Sequence, residues 1–569
     1  MKILLCNLAI RPQRNTWPPV ACTSLCNVLI KEGYDPVFYD IDAKRPSSED
    51  LNRYFEKERY DIVGISAVVS TGYEYTKRLA NIIKKSSPET QIILGGNLAA
   101  AYEVILRKCR IDICVIGEGE RVLINLVKHC EKYGSLNPQN GQLHRIKGIA
   151  FLENGRKCIF TGIERLISSE DIEQPDYELL DRFSDIDQYI RDPMTRDDFY
   201  YDPRSHEKHR QGKKMATVFT SKGCVNRCTF CHRWIKGYRV FSVENIINTM
   251  KILIEKYNVG YFCLSDECFG EKKEWLDDFI EALRPLDILF QIGGARVSII
   301  KNDSSVIRKL KEVGLTAIYF GMESGSDRIL KIMEKNATTE DNLYAIKLCT
   351  EAGIFTIIQL VIGMPGENEK TIQETIEFIK RATGDLPYLP ILSVNYLQAL
   401  PGTPSYEYLK NKGLIGKSIE DEEEYLLYVS DINALEFKQY INVSEEPMSK
   451  VKSWQGKIYV SACLHWFKRN GWKLPDSNTA VYRDKSVAMG FVARGKLLLR
   501  RSVITYRIID LLGDFFWEIV QIYNLFPLYG FKKAFSILFG AIEDNRSGFI
   551  IPTESLRNIV CFDQDSMTV

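Results

Sequence analysis

The sequence predicts an α/β chain. A doubly wound, Rossmann-like parallel sheet covers residues 1–140, a hairpin and linker 141–215, a partial (β/α)6 barrel 216–405, and a mostly helical domain 406–569. Three observations predict this order. Short apolar runs alternate with stretches of 3.6-residue periodicity, first through residue 140 and again after residue 215, the pattern of parallel strands joined by helices. Glycine and polar residues follow most of these runs, at the strand ends where such sheets present their ligands. After residue 405 the strand signals stop, and aromatics cluster at Trp454, Trp466, Phe467, Trp472 and Phe515-Phe-Trp517, a composition more typical of helical core than of a cofactor box. At 569 residues the chain is too long for one core.

In the first part, Lys2–Leu8, Val37–Ile41, Ile62–Val69, Gln91–Leu94 and Ile113–Ile116 read as strands. Val20–Lys31, a stripe at Tyr75, Leu79, Ile82 and Ile83, and Arg121–Lys132 read as helices. The strand ends carry Ser66 to Ser70, Gly95-Gly96-Asn97 and Gly117-Glu118-Gly119-Glu120. No Gly-x-Gly-x-x-Gly follows the first strand, which disfavours a dinucleotide site. Next, Ile146–Leu152 and Lys157–Thr161 form a hairpin about Asn154-Gly155. The basic stretch Arg204–Lys214, with His206 and His209, reads as a solvated linker, with an anion contact as the alternative.

The barrel strands are Ala216–Thr220, Val259–Leu264, Leu289–Ile292, Ala317–Phe320, Phe355–Ile362 and Ile391–Leu397. Their helices include Val243–Tyr257, Trp275–Leu283, Val306–Val313, Leu343–Ala352 and Thr371–Ala382. Polar segments follow the strands: Ser265-Asp-Glu267, Gly293-Gly-Ala-Arg296, Gly321-Met-Glu-Ser-Gly325, Gly363-Met-Pro-Gly-Glu367 and Gln398-Ala-Leu-Pro-Gly402. Asp266 and Glu267 place charge at the mouth, as ligand contacts, as a substrate acid or base, or as complements to a helix dipole. Cys263 reads as a buried strand residue, and Cys268 as a candidate catalytic thiol.

The loop after the first barrel strand carries Cys224-Val-Asn-Arg-Cys228-Thr-Phe-Cys231. Three thiolates on one short loop can hold three corners of a cubane iron–sulfur cluster and leave the fourth iron open to a small molecule. Zinc prefers four closed ligands, and His232 stands too near Cys231 to complete that tetrahedron. The net charge of +1 gives no overall pull toward nucleic acid or anionic membrane. The fifteen cysteines form no paired framework and the first residues read as a strand rather than a leader, so a reducing cytoplasm is expected. Ile519–Phe531, interrupted by Pro527, is too short to span a bilayer and reads as a buried or contact helix.

The cysteine spacing, with Phe230 before the third cysteine, resembles the radical S-adenosylmethionine (SAM) superfamily. Ser66 or Ser70, Gly95-Gly96 and Gly117 to Glu120 resemble the cobalamin-binding domain that often precedes such a barrel. The resemblance implies a 4Fe-4S cluster on Cys224, Cys228 and Cys231, SAM beside it, and cobalamin along the strand ends of the first sheet. It places Arg296 toward the SAM carboxylate, Glu323 toward the ribose, Gly363 to Gly366 (including Pro365) along the adenine, and Glu267 among the catalytic groups. The usual Asp-x-His-x-x-Gly is missing: no histidine precedes His129, so cobalt would lack that ligand, and Arg11, Arg14 or Trp17 is the candidate cover for its lower face. The implied activity is methyl transfer from SAM by way of cobalamin to an unactivated carbon or phosphorus of a small molecule or peptide. An electron donor such as flavodoxin or ferredoxin goes with it. The alternatives are cyclisation or rearrangement with the same cofactors, methylthiotransfer, which would need a second cluster in the first domain, and a non-enzymatic metal-stabilised protein. The helical tail is expected to cover the barrel mouth.

Overall fold

The computed structural model describes residues 1–9, 14–136, 142–232, 237–388, 390–430 and 439–470. Among them the first sheet contains β1 (Ile3–Asn7), β2 (Val37–Asp40), β3 (Ile62–Ser66), β4 (Gln91–Gly95), β5 (Ile113–Val115), β6 (Ile149–Glu153) and β7 (Lys157–Phe160), in the order β2-β1-β3-β4-β5-β6-β7. The first five are parallel and their apolar side chains are buried against helices on both faces, as their unbroken hydrophobic runs require. Strand order reverses at β1, which opens a crevice at the carboxyl ends. The hairpin departs from the expected linker. β6 pairs antiparallel with β5, and β7 with β6, so the hairpin completes the first sheet by covering the edge of the short β5.

The second sheet is built from β8 (Lys214–Val218), followed by a ribbon of β9 (Ser221–Lys222) and β10 (Arg239–Val240), then β11 (Val259–Phe269), β12 (Leu289–Ala295), β13 (Leu315–Glu323), β14 (Ile358–Ile362) and β15 (Leu392–Tyr396). The order β15-β14-β13-β12-β11-β8 is parallel throughout and forms an open half-barrel; β9 and β10 pair antiparallel beside it. The sequence places Ser265–Glu267, Gly293–Ala295 and Gly321–Glu323 after their strands. The structure makes Gly293–Ala295 and Gly321–Glu323 the last residues of β12 and β13 and places Ser265–Glu267 within β11, which runs on to Phe269, all at or next to shifts in strand register. Such irregularities re-aim side chains while the ladder still holds the backbone.

Residues 185–205 are not a solvated tether. Arg196 is buried at the amino ends of the barrel strands and grips Asp198 with Nε and Nη2 at 3.0 and 3.1 Å, while Nη2 also reaches Gln291 Oε1 at 2.8 Å. The Tyr261 hydroxyl donates to Asp198 at 2.8 Å, and Phe199, Met215, Cys263 and Leu289 close an apolar ring around this plug. Most of the basic run, His206, Lys208, His209 and Lys214 included, is exposed as the linker reading expects, and two arginines anchor it: Arg204 pairs with Asp202 at 2.8 Å and donates to the Lys311 and Leu315 carbonyls at 2.8 and 2.7 Å, and Arg210 donates to the Asp287 carbonyl at 2.7 Å.

Beyond the barrel, helix Ile419–Val429 carries the acidic run onto the first domain, where Glu423 accepts from the Tyr73 hydroxyl at 2.7 Å and Leu426 enters the core. Helix Trp454–Arg469 lies along the open edge of the half-barrel, with Trp466 Nε1 donating to the Leu386 carbonyl at 2.8 Å and the Tyr459 hydroxyl to the Leu392 carbonyl at 2.6 Å. The described part of the tail therefore covers a flank, and at Tyr440 it also reaches the mouth, at the Gly363 carbonyl. Trp454 and Trp466 are core residues as expected; Trp472, Phe515-Phe-Trp517 and Ile519–Phe531 lie outside the described residues. No described helix is long and apolar enough to cross a membrane.

Candidate active site where the two sheets meet

The cysteine loop is bolted down at its start. Asp266, buried on β11, accepts from the backbone N–H of Thr220 at 2.7 Å and of Ser221 at 2.8 Å, and from the Thr220 hydroxyl. Burial pushes its carboxyl up to about 6, against the pull of these donors. The sequence sets Asp266 at the mouth; the pleat of β11 turns it inward and leaves Glu267 exposed. Asn226 then organises the loop. Its backbone N–H points at Cys224 Sγ at 3.4 Å, and its amide nitrogen at Cys228 Sγ at 3.7 Å and the Lys335 carbonyl at 2.9 Å. N–H groups aimed at sulfur are a principal means of tuning a cluster. Thr229 is pinned from both sides, its N–H by the Met333 carbonyl and its carbonyl by the N–H and hydroxyl of Ser405, each at 3.0 Å.

Cys228 is buried, Cys224 half-buried and Cys231 exposed, and Phe230 packs half-buried against the core. A hydrogen bond with Cys268 is the main cause that lowers the Cys224 thiol to about 6, whereas burial pushes the Cys228 thiol up. Cys268 is thus a neighbour of the loop, and its own thiol points to Glu271 at 3.7 Å. Among the described residues no three His, Cys, Asp or Glu side chains converge as a single metal ion requires. A cubane takes one thiolate per iron, so it needs a shared pocket rather than a point of convergence. Burial lowers the His232 imidazole to about 4, and its Nδ1 has no hydrogen-bond partner among the described residues.

Around the loop the rim supplies charge. Arg296 Nη1 stands 3.5 Å from Glu271 Oε1 and its Nη2 3.5 Å from the Lys335 carbonyl, while Nε is buried with no partner among the described residues. A buried N–H left unpaired is costly, and a carboxylate is the group a guanidinium binds best. Ser265 Oγ, on β11, is a second buried group with no hydrogen-bond partner among the described residues. Glu323 holds a left-handed backbone, φ 64°, and pairs with Lys335 at 2.8 Å. Strain of this kind at the end of a strand marks a functional position. Its carboxylate is shared with Lys335 before any ribose arrives. The Tyr440 hydroxyl donates to the Gly363 carbonyl at 2.9 Å, so a residue from beyond the barrel closes over the segment assigned to adenine, with Pro365 half-buried beside it. Lys335, Glu271 and Tyr440 are the residues that sequence reasoning missed.

In the first domain Ser66 closes β3 and is buried, and Ser70 starts a single 3-10 turn. Gly96 and Asn97 are exposed beyond β4. Gly96 has φ 89°, and a Cβ there would stand 2.3 Å from the Ala67 carbonyl oxygen, so the fold itself demands this glycine. A Cβ on Gly95 would meet nothing within 4 Å. Gly95→Leu is therefore expected to fold normally and to lose cobalamin, read as cobalt per chain beside a thermal melt. A variant that melts and binds like wild type would move the cofactor tail away from β4. After β1, Asn15 donates to Asp42 at 2.6 Å, Arg14 pairs with Asp185 at 3.4 Å and Trp17 is half-buried, while Arg11 lies outside the described residues. Gly117, Gly119 and the two glutamates between and after them close β5. Glu118 and Glu120 turn to the barrel, where Glu118 accepts from Arg239 Nη1 at 3.0 Å and Glu120 from Lys222 at 2.9 Å.

Residues 8–127 match the B12 binding domain family and residues 218–379 the radical SAM superfamily. The chain thus contains a B12-binding domain followed by a radical SAM domain, and the cofactors of these two domains are cobalamin, a 4Fe-4S cluster and SAM. It is 29% identical over 369 residues to an anaerobic magnesium-protoporphyrin IX monomethyl ester cyclase of Cereibacter sphaeroides, a match spanning 63% of this chain and only 56% of the cyclase. It is 28% identical over 401 residues to an uncharacterized methyltransferase of Pyrococcus horikoshii, covering 69% of this chain and 78% of that protein. The fold is that of the cobalamin-dependent SAM radical enzyme OxsB, solved with aqua-cobalamin and SAM bound, at TM-score 0.60 and 17% identity over 98% of this chain and 83% of that one.

Proposed function

We propose that this protein is a radical SAM methyltransferase that uses cobalamin to carry a methyl group from SAM to an unactivated carbon or phosphorus of a small molecule or peptide. The observation that carries this reading is the meeting of the two sheets: the carboxyl end of β5 contacts the base of the cysteine loop through Glu118 and Arg239. When bound, cluster and SAM supply a 5′-deoxyadenosyl radical, and cobalamin supplies a methyl carrier. Cys224, Cys228 and Cys231 hold the cluster. Arg296 orients the SAM carboxylate with its free Nε, and the Lys335–Glu323 pair steadies the ribose side. Glu267, exposed beside Cys224 and Cys231, holds the SAM amino group or moves a proton at the substrate. Electrons come from a flavodoxin or ferredoxin.

A second reading, radical cyclisation with the same cofactors, is favoured by the likeness to the cyclase. Methyl-labelled SAM separates the two. Methyl transfer yields S-adenosylhomocysteine and 5′-deoxyadenosine together, and a product heavier by one labelled methyl. Product without added methyl, and without matching S-adenosylhomocysteine, would establish the cyclase reading instead.

A further inference from the structure

We propose that Glu118 and Glu120 are positioning residues that clamp the neck of the cysteine loop to the end of β5, and so fix the spacing between cobalamin and cluster, rather than holding the cobalamin tail. The inference rests on the cofactor assignment above. Lys222 and Arg239 stand opposite each other in the β9–β10 ribbon, and everything between them is the cysteine loop. Just inside that pair the two strands of the neck touch backbone to backbone: a Cβ on Gly223, whose φ is 83°, would fall 2.0 Å from the Gly237 carbonyl oxygen. The neck therefore moves as one unit with Cys224, two residues on.

Both cations of that unit are held by the first domain. Glu118 Oε2 accepts from Arg239 Nη1 at 3.0 Å and from the Ile167 N–H at 2.8 Å, and its Oε1 lies 3.2 Å from Lys222 Nζ. Arg239 Nη1 also donates to the Ile167 carbonyl at 2.6 Å. Glu120 Oε1 accepts from Lys222 at 2.9 Å and from the Ser24 hydroxyl at 3.3 Å. Both oxygens of Glu118 are engaged by protein, and its side chain is 5% exposed against 12% for Arg239. A carboxylate committed in this way has little left for a ligand. A paired charge buried between two domains fixes their register in the way that a polar group fixes register in other cores.

The test uses holoenzyme with cob(II)alamin and the reduced cluster, and reads the magnetic interaction of the two spins by pulsed EPR together with cobalt and iron per chain. Lys222 is 38% exposed, so the neutral pair Glu120→Gln with Lys222→Met strands no buried charge. This variant is expected to keep both cofactors at wild-type stoichiometry and to lose the defined spin–spin coupling of wild type. The swapped pair Glu118→Arg with Arg239→Glu, which keeps the charges opposed, is expected to restore more of that coupling than Glu118→Arg alone. Loss of cobalamin from the neutral pair with its iron intact would return the glutamates to the tail and overturn the proposal. Unchanged coupling with both cofactors present would overturn it equally. Wild-type holoenzyme that takes up no cobalamin would overturn the cofactor reading itself, and the proposal with it.

Discussion

Cys228→Ala protein is expected to leave anaerobic reconstitution without its cluster, falling from about four irons per chain to background, and to cleave no SAM. Of the three loop thiols this one is buried, and the Asn226 amide is aimed at it from 3.7 Å. Burial disfavours its free thiolate, so a thiolate at this position needs a cationic partner. Asn226→Ala removes only the supporting hydrogen bonds and should weaken cluster retention by roughly 10–100-fold, the usual effect of a group behind a ligand. Cys268→Ala should keep its iron, because Cys268 sits on β11 rather than on the loop. Iron content, visible absorbance and EPR of the reduced state read all three variants. Tight zinc with no iron in the wild-type chain would falsify the cluster assignment outright.

Asp198→Ala is expected to destabilise the barrel by about 3–5 kcal/mol, the cost of removing one partner from a buried ion pair. The change strands the Arg196 guanidinium, leaving it, among the described residues, the Gln291 oxygen at 2.8 Å and the more distant Tyr319 hydroxyl at 3.4 Å. It also takes away the acceptor of the Tyr261 hydroxyl. The double variant Arg196→Leu with Asp198→Leu should recover much of the loss, since apolar groups of similar volume often replace a buried pair at little cost. Thermal melts of the three proteins rank them directly. Asp198→Ala melting with wild type would mean that water reaches the plug.

The periodic features were legible in the sequence. Helices Val20–Lys31 and Val243–Tyr257 end where their apolar stripes end, and the two parallel sheets follow from alternating strand and helix. What the sequence could not give was the direction of single side chains at strand ends. Asp266 and Glu267 are adjacent and chemically alike, and only the pleat of a strand that runs on to Phe269 sends one inward and the other out. Gly96 is required by the approach of Ala67, a contact between two loops that no local pattern encodes. Lys335 follows a short helix, Asp327–Ile332, and Tyr440 comes from beyond the barrel, so neither lies at a strand end where a ligand would be sought. The glutamates of β5 carried a turn-like signal, but their partners are over a hundred residues away.

The Arg196 plug also bears on how this chain can be divided. By pattern the barrel begins near residue 216, and a fragment cut there would hold every strand of the second sheet except the start of β8. It would also leave Gln291, Tyr261 and Tyr319 at its floor without the partners they have in the plug. During synthesis the order is kinder: the plug leaves the ribosome before the strands it will seal, and waits hydrated until they close around it. A separable catalytic fragment would thus have to start upstream, near Asp185, and to carry that stretch as its own base.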